Sequence, residues 1–316
     1  MMKSHFRKDF LQACVALILF LLHIPILQAS PNVVVSIKPV HSLISGIMQG
    51  VGEPKLLIKG AQSPHHFSLR PSDMSLLQQA ELIIWVGPGV EASMADLFDR
   101  DVIKGRVVTL TQLGGMTWLP PRKDHEWEEP EHQHESHAGS GHVHGQSIDS
   151  HIWLSPEIAR GIVRQITDLL CNLDRANASR YRENQRLLME RLDRLDAELE
   201  TKLSPVRQIP YVVFHDAYHY LEQHYHLNAV GSVSINPEQQ PGMRHIHELR
   251  SRIIQLKARC LFSEPQFQPK LVQTLIEGTE AKAGQLDPLG SDLEAGPDAY
   301  FQLMQRLADN LVSCLH

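Results

Sequence analysis

Between Asp124 and Gly145, His125, His132, His134, His137, His142 and His144 alternate with Asp124, Glu126, Glu128, Glu129, Glu131 and Glu135 across Gly and Ser spacers. Neutral imidazole is the commonest protein ligand for transition metals, and tracts of this composition read as metal binding. The carboxylates add attraction for divalent cations. Gly/Ser spacing offers no preformed coordination geometry, however, and binding there must first order the chain. The segment is therefore expected to be an auxiliary, low-affinity metal binder, and a tight site has to be sought elsewhere.

Fixed backbone is what a tight site needs. His151 stands directly before "IWLSP", where Ser155 and Pro156 are the cap and first residue of a helix. Open α/β sheets bind ligands in the crevice beyond the carboxyl ends of their strands, so ligand-type residues at those ends are the next candidates. "KLLIKGAQSPHHFSLRPSD" places His65 and His66 just past one strand, "YVVFHDAY" ends another with His215, and "AGQLDPLG" ends a third with Asp287. His65, His151, His215 and Asp287 would supply three imidazoles and a carboxylate, two groups from each half of the chain. That set suits tetrahedral Zn2+.

The positioning elements follow from the pattern of apolar residues. "NVVVSI", "KLLIKG", "LIIWVG" and "RVVTL" alternate with helical stretches such as "PVHSLISGIMQG" and "SDMSLLQQA". The alternation stops at the His-rich segment. "SPEIARGIVRQITDLLCNL" then reads as one helix and "RANASRYRENQRLLMERLDRLDAELETKL" as a second of unusual length. It resumes with "YVVFH", "LNAVGSVSI", "RCLFSE" and "AGQLD" and their intervening helices. Alternating strands and helices indicate parallel sheets covered by helices. The expected fold is α/β: two lobes with parallel sheets joined by one long backbone helix, with the metal site in the cleft between them. The expected boundaries are a leader at 1–29, an N-terminal lobe at 30–173 carrying the His-rich acidic loop at about 121–150, the helix at 174–205, and a C-terminal lobe at 206–316. A single larger α/β domain is the competing arrangement.

Residues 1–29 read as a secretory signal peptide, with Lys3, Arg7 and Lys8 ahead of an apolar core and "LQA" before Ser30. His23 and Pro25 interrupt the apolar run, which argues against an uncleaved membrane anchor. Cleavage removes a net +2 from the formal −6 and leaves about −8, a balance that disfavours nucleic acid and mildly favours cations. Export also permits disulfides. Cys14 leaves with the leader; of the rest, Cys260 and Cys314 share the last third and are paired, and Cys171, within a helical pattern, is expected to be a buried free thiol.

Several ordered motifs carry a family resemblance: "SIKPVHSL", "SPHHFSLRPSD", "ELIIWVGPGVE", "HIWLSPEIAR", "VVFHDAY", "FSEPQF" and "LDPLG". At these residues, over nearly the whole exported chain, the sequence closely resembles the zinc-binding proteins of bacterial ABC importers, the ZnuA type of the cluster A-I solute-binding family. The resemblance implies two Rossmann-like lobes joined by a rigid helix. It puts zinc ligands at His65, His151 and His215, with Asp287 or water as the fourth. It also implies a C-terminal Cys260–Cys314 disulfide and a His-rich loop before the second ligand. By the same resemblance the protein works in the periplasm of a Gram-negative bacterium, as a monomer that hands Zn2+ to an inner-membrane ABC permease; its charge implies no nucleic-acid partner, and cleavage of the leader implies no stable membrane insertion. One departure is Pro64, where some members carry a Glu; its absence shifts weight to Asp287 or water. His66 and His219 are histidines outside the family's ligand pattern, and His41, His224, His226, His245 and His247 read as structural or surface residues.

Three imidazoles favour zinc over manganese or calcium, which prefer oxygen donors. The alternatives are a zinc hydrolase, since three histidines plus water also describe catalytic zinc, and a metal buffer or adhesin without a transporter. No H-E-x-x-H occurs in the chain and no Glu beside the candidate ligands stands as an obvious general base, so a non-catalytic role is expected.

Overall fold

A computed structural model describes residues 30–98, 102–122, 148–234, 242–266 and 270–316. The expected leader (1–29) and the six histidines of the His-rich segment lie outside them.

The first lobe is built from β1 (Val33–Val35), α1 (Lys38–Met48), β2 (Lys55–Leu56), α2 (Pro71–Gln78), β3 (Leu82–Trp85), α3 (Ala92–Phe98) and β4 (Arg106–Thr109). Its four strands are all parallel, in the order β2-β1-β3-β4. β1 and β3 are buried along their whole length, which is why they read as unbroken apolar runs and not as alternating ones. β2 is shorter than "KLLIKG" suggested, although Leu57 and Ile58 still donate backbone bonds to Val35 and Ser36. The helix "ASMADLF" was not anticipated.

Two helices lead to the second lobe. In α4 (Pro156–Leu173) the N-cap is Ser155, whose Oγ accepts the Ile158 N–H at 3.3 Å, and Pro156 occupies the first turn, where its missing N–H costs nothing. Next comes α5 (Ala178–Leu203), 26 residues long. Tyr181, Leu188, Leu192, Leu195, Leu199 and Leu203 recur at three- and four-residue spacing and form its buried stripe. The opposite face carries exposed ion pairs such as Arg186 with Glu183 and Glu190. Asn184 lies within the stripe, and its amide donates to the carbonyls of Ile47 and Gln49, each at 2.8 Å. That closes the C-terminus of α1 onto the long helix.

The second lobe repeats the plan with β5 (Tyr211–His215), α6 (His219–Tyr225), β6 (Ala229–Ser234), α7 (Met243–Gln255), β7 (Cys260–Ser263), α8 (Lys270–Ile276) and β8 (Lys282–Gln285). The strands are again parallel, in the order β6-β5-β7-β8. Tyr211 and Val213 of β5 face the main core while Val212 and Phe214 join a smaller cluster with Leu249 and Ile253 of α7, the two-residue period of a strand buried on both faces. The chain closes with α9 (Ala299–Leu315), which packs against β8 and also against α1 and α5. The C-terminal helix therefore belongs to both lobes, and Pro31–His316 forms one compact unit. Cys260, at the start of β7, is disulfide-bonded to Cys314 near the end of α9, and Cys171 is a buried free thiol. Among the described residues no helix is long and apolar enough to cross a membrane.

Candidate metal centre

In a sheet of order 2-1-3-4 the chain leaves the two central strands toward opposite edges, and the crevice between their carboxyl ends is the natural binding place. The first lobe closes its own crevice. Glu91, fully buried, accepts the Ser36 hydroxyl and the backbone N–H groups of Val86 and Gly87. Burial is the main reason its carboxyl is pushed up to about 7, against the lowering effect of those bonds. In the second lobe, His215 ends β5 and Glu264 directly follows β7, both nearly inaccessible to solvent.

Three imidazoles meet in front of that second crevice. His65 sits in a short 3-10 turn, Pro64–His66, anchored by the buried Phe67, whose carbonyl accepts Ser93 Oγ at 2.6 Å. His151 immediately precedes the 3-10 turn Ile152–Leu154, all three residues of which are buried. His215 is held by its strand. The ring centroids lie 5.7 Å (His65–His151), 5.4 Å (His65–His215) and 4.8 Å (His151–His215) apart. One nitrogen from each ring can be chosen so that all three lie within 4.8 Å of one another. A tetrahedral Zn2+ with Zn–N bonds of about 2.0–2.1 Å needs those nitrogens about 3.3 Å apart, a small adjustment of side-chain torsions. The Nε2 of His151 is buried without a hydrogen-bond partner, a costly condition that a cation would relieve.

Carboxylates stand behind the rings. Asp149 Oδ1 accepts from His151 Nδ1 at 2.9 Å, so the other nitrogen faces the cluster; Asp149 Oδ2 lies 3.5 Å from His219 Nδ1. Glu264 Oε1 is 3.6 Å from His215 Nδ1 and accepts the Tyr218 hydroxyl at 3.2 Å. Burial lowers the His65 ring to about 2 and the His215 ring to about 3, with the neighbouring imidazoles adding to the effect. Both are therefore neutral at pH 7, with a lone pair to donate. Burial works against a charged His151, but the bond to Asp149 together with the negative charges of Asp149, Asp216 and Glu264 outweighs it and its pKa is raised. Burial pushes Glu264 up to about 8.

Asp287 stands two residues beyond β8, just past the strand end that its position suggested, but its oxygens are engaged locally. Oδ1 accepts Gln266 Nε2 and the Leu289 N–H, both at 3.0 Å, and Oδ2 accepts the Ser291 N–H at 2.6 Å. Asp287 is not part of the three-histidine cluster. His66 is exposed and also outside it, and His41 and His224 bond to Pro54 O and Asp196. Sequence reasoning missed Asp149, Glu264 and Gln266. The rule that pointed to His215 and Asp287 would have reached Glu264, since it follows "RCLFS" in the same way. Asp149 needed the further idea that a ligating histidine wants a carboxylate behind it.

The small chamber in front of the rings is lined by His65, His151, Trp153, His215, Glu264, Gln266 and Pro288, with residues from both lobes. A pair of parallel α/β lobes, bridged by a long helix and enclosing a metal-type site between them, defines the class of metal-binding solute-binding proteins. Within it, the chain belongs to the ZnuA family, described as zinc-uptake complex component A, periplasmic, whose model it matches over residues 33–314. It is 39% identical over 305 residues to the high-affinity zinc uptake system protein ZnuA of Brucella abortus, covering 90% of this chain and 91% of that one. To the protein of the same name from Yersinia pestis it is 37% identical, covering 98% and 99%. A crystal structure of ZnuA shares the fold, with a TM-score of 0.76 at 22% identity over 91% of this chain and all (100%) of the other.

Proposed function

We propose that this protein is the periplasmic zinc-binding component of an ABC uptake system. It is a binding protein and not an enzyme; Zn2+ is its cargo, and its partner is a membrane permease. His65, His151 and His215 hold the ion, with Asp287 or water as fourth ligand. The hydrogen bonds that Asp287 already accepts favour water. Lobe boundaries at 30–173, 174–205 and 206–316 accord with a site assembled between the lobes, and residues 1–29 act as the export leader. The exported chain acts as a monomer without nucleic acid, in keeping with its negative charge. The His-rich segment collects additional zinc weakly.

The observation that carries this reading is the convergence of three imidazoles, two of them held neutral by burial, on a chamber lined from both lobes. Competition titration against a zinc chelator tests it, on protein lacking residues 124–145 so that the auxiliary segment does not mask the result. His65→Ala, His151→Ala and His215→Ala should each weaken the tight site by orders of magnitude, and Asp287→Ala by a smaller factor. Parent-like binding by His215→Ala would refute a metal held between the lobes.

A further inference from the structure

Between β8 and α9 the chain does not stay with the second lobe. Residues 287–300 cross to the first, and two side chains of the first lobe grip them. Lys38, the first residue of α1, is buried, and its ammonium donates to the carbonyls of Gly290 at 2.6 Å, Ser291 at 2.8 Å and Leu293 at 2.7 Å. Those three acceptors use all the donors an ammonium has. Trp153, two residues after His151, donates its indole N–H to the carbonyl of Pro288 at 2.7 Å. At the far end Tyr300 bonds back twice, its hydroxyl to Trp153 O at 3.0 Å and its N–H to Ser42 Oγ at 2.9 Å.

This strap is connected to the metal chamber. Its first residue, Asp287, is held by the N–H groups of Leu289 and Ser291 and in turn holds the amide of Gln266. Gln266 and Pro288 both line the chamber, and the Trp153 ring lies 5.5 Å from that of His151. A shift of the strap therefore moves groups beside the imidazoles.

We propose that Lys38 and Trp153 are positioning residues that set how long the site retains zinc, by latching the 288–293 strap of the second lobe onto the first. The inference rests on the reading of the histidine cluster as the zinc site. Charge-assisted hydrogen bonds are the strong ones, and a buried ammonium cannot be withdrawn from its carbonyls at no cost. The latch is nevertheless reversible. Lys38, Ser291 and Leu293 line an open cleft of about 710 Å³, so water can replace the carbonyls as the lobes part. Asp287 and Asp292 oppose the burial penalty on the lysine charge. Bonds made between the lobes stabilise their joined arrangement against opening, and so act on dissociation more than on association.

The test uses the exported protein loaded with one equivalent of zinc, with release into excess chelator followed by stopped flow, alongside association rate and Tm. Lys38→Met keeps the stem and removes the donors; Trp153→Phe keeps a ring and removes one donor. Release should accelerate about tenfold or more in the first and about threefold in the second, with association changed less than about twofold. Leu192→Ala, in the buried stripe of α5, controls for general destabilisation: its Tm should fall while its release rate stays at the parent value. Parent-like release from Lys38→Met despite a lowered Tm would overturn the latch, and if Lys38→Met does not fold, parent-like release from Trp153→Phe would do so. A parent that failed to bind zinc tightly would instead remove the zinc reading itself.

Discussion

Asp149 grips His151 twice: one carboxylate oxygen accepts the His151 backbone N–H at 3.0 Å and its ring Nδ1–H at 2.9 Å. The contact fixes both the tautomer and the direction of the ring. Carboxylates behind ligating histidines typically contribute a factor of about 10–100 in metal affinity. Asp149→Asn, which keeps the shape and loses the charge, should weaken the tight zinc site by that order while leaving the fold intact. Chelator competition and circular dichroism on the same samples check both parts, and unchanged affinity would reduce Asp149 to a turn residue.

Deleting residues 124–145 should lower the total zinc bound at saturation and leave the tightest site nearly unchanged. Equilibrium dialysis with metal analysis measures the first quantity and chelator competition the second. Loss of tight binding on deletion would make the segment itself the site.

The disulfide between Cys260 and Cys314 closes a loop of 54 residues, for which chain entropy predicts roughly 4 kcal/mol of stabilisation. The Cys260→Ala/Cys314→Ala variant should lose about that much by urea unfolding. Alkylation of the unfolded exported protein without reduction should modify a single cysteine, Cys171, as read by mass spectrometry.

Asp196 of the long helix accepts from Arg160, His224 and Tyr225. Burial raises its pKa, but these bonds outweigh burial and hold the carboxyl below the usual range. A depressed folded pKa stabilises above the unfolded value of about 3.9, and that contribution is lost as pH falls through the folded one. Asp196→Asn should therefore be less stable than the parent at pH 7, and the gap should narrow steadily below about pH 4. Urea midpoints across that range decide it; a constant gap would show that the charge of Asp196 is not involved.

Much of this protein was legible in the chain because its determinants are local. Unbroken apolar runs such as "LIIW" and "YVVF" are what doubly covered parallel strands require, and the Ser155–Pro156 pair starts α4 through a bond formed within one turn. Strand ends then named His65 in the first lobe and His215 and Asp287 in the second, since a parallel sheet puts all its carboxyl ends on one edge. Other features depend on residues distant in sequence. Lys38 sits at the head of a helix, where an exposed charge would be ordinary; only the docking of the strap more than 250 positions later makes it a buried donor to Gly290 and its neighbours. Asp287 stands where expected, yet its carboxylate is engaged not only by the local Leu289 and Ser291 N–H groups but by the amide of Gln266, 21 residues earlier, which only the pairing of β7 with β8 brings beside it. The sequence alone determined the fold class, because strand burial and helix capping act within a few residues, and its motifs named the three histidines that the structure brings together. That Glu264 stands behind His215 was decided by the pairing of two strands about fifty residues apart, and what ties the two lobes together by how Lys38 and Trp153 meet the strap, because such contacts depend on how the elements pack.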